Sequence, residues 1–360
     1  MKHSYLTAGM TSGQLFSILA RNKISRDAKT LLRILFLLQS SLWSSLFASI
    51  EKVRFGKRLK ETPPPLDPVF IIGHWRTGTT LLYKLMSLDE QFTAPTLFQV
   101  AEPDSLLTSH AYYKPIMKAL VRETRPMDNV KVGMDEPQED EYAIFRLTGT
   151  SPLEQLVFPR NGKYFVEDWA KNMPSPGTNE HIKEELKSFY RKITYFKRGI
   201  ILSKNPFHSF RLGLLLEAFP KARFIQIHRH PFDVVPSTMN MWNILQKENA
   251  LGSESHKFNC QEVCRGIKLI EEKINTEAGG LSAGSYAVTR FEDLENDPVM
   301  TVKQVYAQLG LVFTERQEKM IKEFTSMNRN FRKNSFSLPE GDKATIKSEL
   351  KEYMKKHSYS

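Results

Sequence analysis

Gly73-His74-Trp75-Arg76-Thr77-Gly78-Thr79-Thr80 places two glycines, one arginine and paired threonines directly behind an apolar run, Val69-Phe70-Ile71-Ile72. Pro68 and Gly73 bound that run as a buried strand, and a helix is expected from about Thr79. Successive backbone N–H groups from Arg76 to Thr80 then converge at a helix N-terminus, where the macrodipole also favours an anion. Thr79 and Thr80 add two hydroxyl donors. Gly73 and Gly78 have the spacing of a Walker loop, G-x-x-x-x-G-K-[ST], but Thr79 stands where the lysine belongs. The nearest cation is Arg76, which can fork onto two oxygens of a leaving bridge. Such a loop suits a donor whose reacting group carries one negative charge, as a sulfuryl does, rather than the γ-phosphate of ATP with its magnesium.

A second constellation lies downstream. Arg223-Phe224-Ile225-Gln226-Ile227-His228 reads as another strand, and His230-Pro231-Phe232-Asp233 as a helix start with proline at the first helical position. Arg229 therefore sits at the carboxyl end of a strand, where open α/β sheets bind ligands. Ser237 follows eight residues later, about two helical turns on, able to look back at the same ligand. An arginine and a serine so spaced, behind the Arg76-Thr-Gly-Thr-Thr80 loop, form the pattern expected around a second phosphate.

With these residues the chain resembles the sulfotransferases that use 3′-phosphoadenosine 5′-phosphosulfate (PAPS), and the tyrosylprotein, Golgi-type and bacterial members more than the cytosolic ones. The resemblance runs from about Pro68 to Lys333. It implies that Arg76, Thr77, Gly78, Thr79 and Thr80 grip the 5′-phosphosulfate, and that Arg229 and Ser237 grip the 3′-phosphate. Leu202-Ser203-Lys204-Asn205-Pro206 resembles a strand-end motif whose lysine, here Lys204, faces the transferring sulfonate. Tyr286-Ala-Val-Thr-Arg290-Phe-Glu-Asp-Leu294 resembles the family's late strand. Arg332 and Lys333, in a basic loop, are expected either to fold over the nucleotide and touch the 3′-phosphate or to be solvated. The implied chemistry is in-line attack of a hydroxyl on sulfur. Arg76, Lys204 and the loop amides then offset the charge that develops on the leaving group, where one such donor is typically worth ~10²–10³ in rate. No metal is called for, and the sequence has no H-x-x-x-H or paired C-x-x-C spacing.

The base that activates the acceptor has no family counterpart here. The stretch where some members carry a glutamate reads Ala94-Pro-Thr-Leu-Phe-Gln-Val100, with no acid before Glu102. The substitute is Asp135-Glu136-Pro137-Gln138-Glu139-Asp140-Glu141. Its acids are ordinary at a helix start, yet Asp140 shares a helical face with Ala143, Ile144 and Leu147 and should point inward. An inward acid has a raised pKa and can act as base. Asp140 and Glu141 are the candidates, with Glu136 behind them and His110 and His208 as alternatives.

The chain has 360 residues and a net charge of +11, which suits an anionic nucleotide as well as a membrane surface. No basic run interleaved with aromatics points to nucleic acid. The two cysteines, Cys260 and Cys264, are four apart on one predicted helix face. Bridging them would strain a disulfide, so reduced thiols in a cytoplasmic protein are expected. Ile34 to Ile50 is apolar but interrupted by Gln39 and five serines. It is too interrupted for a signal peptide and short of the ~20 residues that span a bilayer. Leu35, Leu38, Leu42, Leu46 and Ser49 fall three or four apart, so the pattern is an amphipathic helix. Packing on the core is one use for it. The other is an interfacial helix delivering a lipid or sterol-like alcohol, hence peripheral membrane contact.

To position these residues the chain needs strands near 69–73, 199–203, 223–228 and 285–289 alternating with helices. That alternation predicts a three-layer α/β/α fold with a mostly parallel central sheet. Residues 1–65 are expected as a helical extension ending in the spacer Glu61-Thr-Pro-Pro-Pro65, 66–335 as the sulfotransferase domain, and 336–360 as a basic tail. Aromatic and aliphatic residues such as Phe98, Tyr112, Phe145, Phe158 and Trp242 are expected to border the cleft. They suggest an apolar alcohol, a sterol or lipid, as acceptor. The competing readings are a P-loop kinase of a small molecule and a non-enzymatic, nucleotide-responsive protein recruited to membranes.

Overall fold

The computed structural model describes residues 6–120, 124, 133–172, 174–328 and 336–359. Its central sheet is all parallel, ordered β2-β3-β1-β4-β5, with β1 at Leu66–Ile72, β2 at Phe92–Thr93, β3 at Ile200–Lys204, β4 at Arg223–His228 and β5 at Tyr286–Arg290. Strand β1 lies in the middle and is apolar without alternation, because both its faces are covered. Successive side chains go to opposite faces. Val69 and Ile71 join Leu82, Leu85, Val302 and Tyr306 on one side. Phe70 packs against Phe224, Phe219 and His208 on the other. The register sets Ile71 opposite Lys204 and Ile72 opposite Gln226. All carboxyl ends therefore meet at one edge, which is where the loop after β1, Lys204 and Arg229 emerge. The expected strands are in place to within a residue or so at most ends. Only β2 was not foreseen, because two residues carry no periodic signal.

By contact density the chain forms two units. The unit holding the sheet comprises Leu66–Ala94, Gly199–Met241 and Phe258–Ser360. Residues 336–359, in the stretch expected as a basic tail, hold two helices, Glu340–Glu349 and Lys351–Lys356. Ile346 and Leu350 are fully buried against Val263, Cys264 and Ile267 of helix Cys260–Ala278. Lys347, Lys351 and Lys355 are exposed, while Ile346 and Leu350, with Lys356 paired to Glu271 at 2.6 Å, dock the stretch. Cys260 and Cys264 are free and buried.

The other unit is helical and comprises Met1–Pro65, Pro95–Arg198 and Trp242–Lys257. Its longest helix, Ala28–Glu61, extends well beyond the apolar run at 34–50. Asp27 caps it, accepting the Thr30 N–H at 2.9 Å. Helix Pro176–Phe196 starts with proline at its first position behind a Ser175 cap. Helix Glu141–Thr148 ends at Gly149, whose φ of 65° closes the C-terminus in the left-handed region.

Candidate active site

The loop after β1 is built around two glycines that nothing else could replace. Gly73 has φ 122°, and a Cβ there would lie 2.7 Å from the Ile227 carbonyl oxygen. Gly78 has φ 93°, and its Cβ would fall 2.1 Å from Cδ2 of Phe291. Between them Arg76 adopts φ 67°, a left-handed conformation that costs a non-glycine residue about 1–2 kcal/mol. The loop is held from outside: Ser209 Oγ accepts the Gly73 N–H at 3.0 Å, and Thr77 Oγ1 donates to the His74 carbonyl at 2.8 Å. His74 is buried, which lowers its pKa to about 4 and keeps the ring neutral. Helix Thr79–Ser87 begins at Gly78 without a side-chain cap, leaving its first-turn amides suited to an anionic ligand. Arg76 turns back across the sheet edge, its Nε donating to Ser237 Oγ at 2.8 Å.

Lys204 ends β3 and is buried to 3% exposure. The next residue, Asn205, donates its N–H to the Ile71 carbonyl at 3.2 Å. Its side chain accepts from the Phe207 N–H at 2.9 Å, starting a 3₁₀ turn at Pro206. The lysine is thus locked one strand away from the loop.

Arg229 follows β4 directly. It pairs with Asp233 at 2.9 Å, and its guanidinium lies 4.3 Å over the Phe291 ring. Among the described residues its buried Nε has no hydrogen-bond partner. Phe291 therefore underlies both Gly78 and Arg229, a shared floor that spacing alone could not reveal. Ser237 is buried one residue after Pro236, inside helix Pro231–Asn249. The structure brings Ser237 to Arg76, and Arg229 to Asp233.

Around Arg229 the C-terminal residues add contacts that sequence reasoning missed. Tyr359 OH meets His228 Nδ1 at 2.9 Å and donates to Glu292 at 3.1 Å, while Glu292 also accepts the His230 N–H at 2.9 Å. Burial, reinforced by His357, lowers the His228 pKa to about 3, so its ring is neutral at ordinary pH. The only signal in the sequence was the apolar spacing of Ile346, Leu350 and Met354.

The acidic candidates belong to the helical unit. Asp140 is fully buried at the head of helix Glu141–Thr148 and accepts from the Tyr190 hydroxyl. Glu141, also fully buried, accepts from Ser151 Oγ at 2.6 Å. The inward direction expected of Asp140 is thus realised. Glu136 is half-buried and His110 exposed. His208 is buried with its ring edge-on to Phe70 in the sheet core. Arg332 and Lys333 lie outside the described residues. Of the residues expected to border a cleft, Phe98, Phe145, Phe158 and Trp242 are core residues, whereas Tyr112 is 70% exposed.

The fold and these motifs have relatives. Residues 68–315 match a family model described as the sulfotransferase family. Omega-hydroxy-beta-dihydromenaquinone-9 sulfotransferase Stf3 of Mycobacterium bovis is 30% identical over 319 residues, 89% of this chain and 82% of that protein. Human carbohydrate sulfotransferase 5 is 24% identical over 285 residues, 71% of this chain and 64% of its own. Among solved structures, sulfotransferase STF9 of Mycobacterium avium has the same fold, with a TM-score of 0.70 at 15% identity over 98% of this chain and 97% of that one. A glycine loop with Thr79 at the Walker lysine position and Arg76 within it, a parallel sheet carrying it and a family match across most of the chain converge: this protein belongs to the sulfotransferase family and is a sulfotransferase enzyme.

Proposed function

We propose that this enzyme takes the sulfuryl group from PAPS and transfers it to the hydroxyl of an apolar alcohol of the lipid class. The observation that carries the donor assignment is the bond between Arg76 and Ser237. It joins a loop suited to one anion to the helix that follows Arg229, whose buried Nε has no hydrogen-bond partner among the described residues. Two anion sites on one sheet edge match a nucleotide with charge at both ends. Bound PAPS supplies the sulfuryl group and a leaving phosphate. Arg76 and the amides of Thr77 to Thr80 hold the 5′ end, and Arg229 and Ser237 the 3′-phosphate. Lys204 directs its ammonium to the charge that grows on the leaving oxygen, and its burial strengthens that interaction by excluding water. Asp140 or Glu141 takes the proton of the acceptor hydroxyl.

The lipid acceptor is supported by the 30% identical relative, whose name is that of a sulfotransferase for omega-hydroxy-beta-dihydromenaquinone-9, a hydroxyl-bearing menaquinone. The buried free thiols of Cys260 and Cys264 fit a reducing, cytoplasmic setting. The test is incubation with radiolabelled PAPS and a panel of lipid alcohols, sterols, phenols and glycans, with magnesium-ATP alongside. Label on a lipid alcohol is the expected result. Label only on glycans would overturn the acceptor, and phosphoryl transfer from ATP would overturn the donor.

A further inference from the structure

Helix Ala28–Glu61 is inside out. The side it buries is largely polar: Thr30, Arg33, Ser40, Ser41, Ser44 and Glu51 are all at most 9% exposed, with the apolar Leu37 buried among them. The side it exposes is apolar: Leu32 is 68% exposed, Leu35 62%, Leu42 66%, Trp43 51%, Leu46 49% and Val53 89%. At 3.6 residues per turn these two sets lie on opposite faces, and Leu32 to Val53 form a stripe roughly 30 Å long. An exposed apolar stripe of that extent is not ordinary surface for a free monomer.

We infer that residues 28–61 are an in-plane membrane anchor, laying this stripe into the headgroup region of an anionic lipid bilayer. The charge around it favours that occupant. Lys29, Arg54, Lys57 and Lys60 are exposed. Val53, Lys57 and Lys60 follow at i, i+4 and i+7, so the stripe runs directly into cations that anionic headgroups complement. A second copy of the chain on the same stripe would bring these cations against one another. Trp43 carries an apolar body and an N–H donor, the combination that suits the membrane boundary.

The helix lies on the bilayer and does not cross it. It is long and apolar enough to span by length and composition. Its polar side is nevertheless tied down within its own unit. Glu51 accepts the N–H groups of Leu107 and Thr108 at 2.7 and 3.0 Å and pairs with Lys192 at 2.9 Å. Arg33 donates to the Ala250 carbonyl at 3.1 Å, and Ser44 to Glu102 at 3.1 Å. Spanning would strip these bonds and drag Arg33 and Glu51 into hydrocarbon. The bonds fix which face remains for lipid.

This inference needs no PAPS, so its test is separate from that of the donor. The full chain is mixed with phosphatidylcholine vesicles with and without phosphatidylglycerol and sedimented. Binding should require phosphatidylglycerol, weaken with salt, and fall at least about ten-fold in the double variant Leu35→Asp/Leu42→Asp. Both leucines are exposed, so circular dichroism should match the wild type. Trp43 fluorescence should be quenched more by lipids brominated near the headgroup than near the chain end, an effect lost in Trp43→Phe. Failure to bind vesicles sinks the idea. So does stronger quenching by the deep bromines, which means spanning, or a doubled mass by light scattering that the aspartates halve, which means a second copy covers the stripe.

Discussion

Arg76 Nε donates to Ser237 Oγ at 2.8 Å, linking residues 161 apart in sequence. The bond ties the loop after β1 to the helix after β4, and Arg76 itself stands in a left-handed backbone conformation with φ 67°. It couples the two ends of the proposed nucleotide site before any ligand arrives.

Ser237→Ala removes that partner and one hydroxyl from the 3′-phosphate site. Hydrogen bonds to charged groups are worth about 1.5–3 kcal/mol, so affinity for adenosine 3′,5′-bisphosphate should fall about ten-fold or more. Calorimetric titration reads this directly, and unchanged affinity would remove Ser237 from the site.

Arg229→Ala should discriminate between nucleotides. It takes away a guanidinium stacked on Phe291 at 4.3 Å, so binding of adenosine 3′,5′-bisphosphate should weaken by about 2–4 kcal/mol. Binding of AMP, which lacks the 3′-phosphate, should change much less. Equal losses for the two ligands would refute the 3′-phosphate role.

Lys204→Ala should act on turnover. With its charge directed at the transition state, kcat should drop ~10²–10³ while affinity for the bisphosphate product stays close to that of the wild type. A variant whose KM for PAPS rises with kcat unchanged would make Lys204 a binding residue only.

Asp140→Asn and Glu141→Gln separate the candidate bases. Whichever carboxylate takes the acceptor proton should lose ~10²–10⁴ in kcat on amidation, together with the acidic limb of the pH–rate profile. Tyr190→Phe, which removes only the hydroxyl bonded to Asp140, should shift that limb if Asp140 is the base. Two variants that both keep the limb would place the base elsewhere.

Glu102 gives a pH-dependent prediction about stability. Burial raises its pKa from 4.5 to about 7, outweighing the hydrogen bonds from Ser44 and Ser105. Below pH 4.5 both states are protonated and no penalty arises. As pH rises from 4.5 to 7 the unfolded chain ionises while the folded one holds its proton, so stability falls, and above 7 the full penalty persists. Glu102→Gln should therefore stabilise the protein by about 1–3 kcal/mol at pH 8 and by little at pH 4.5, as read from urea unfolding. A variant equally destabilised at both pH values would show that the carboxyl's bonds, not its charge, dominate.

Much of this enzyme was legible in its sequence because the informative features are local. A run of buried apolar residues ending in glycine, with helical signals resuming at Thr79, is enough to define a strand, a glycine loop and a helix start. The missing Walker lysine, with Arg76 the cation inside the loop, is written there too, and so are the strand-end positions of Lys204 and Arg229. What the sequence could not decide depends on which distant segments meet. Phe291 lies under both Gly78 and Arg229, and Ser237 turns to Arg76, because the β1, β4 and β5 register brings three remote strand ends to one edge. The C-terminal helices dock through Ile346 and Leu350 although lysine is their commonest residue. Helix Ala28–Glu61 shows the limit most plainly: its periodicity announced two faces, but only Glu51, Ser44 and Arg33 finding partners inside could show that the polar face is the buried one. Hydrophobic spacing records that a helix has sides. Which side turns inward is decided by the hydrogen bonds that the rest of the chain offers it.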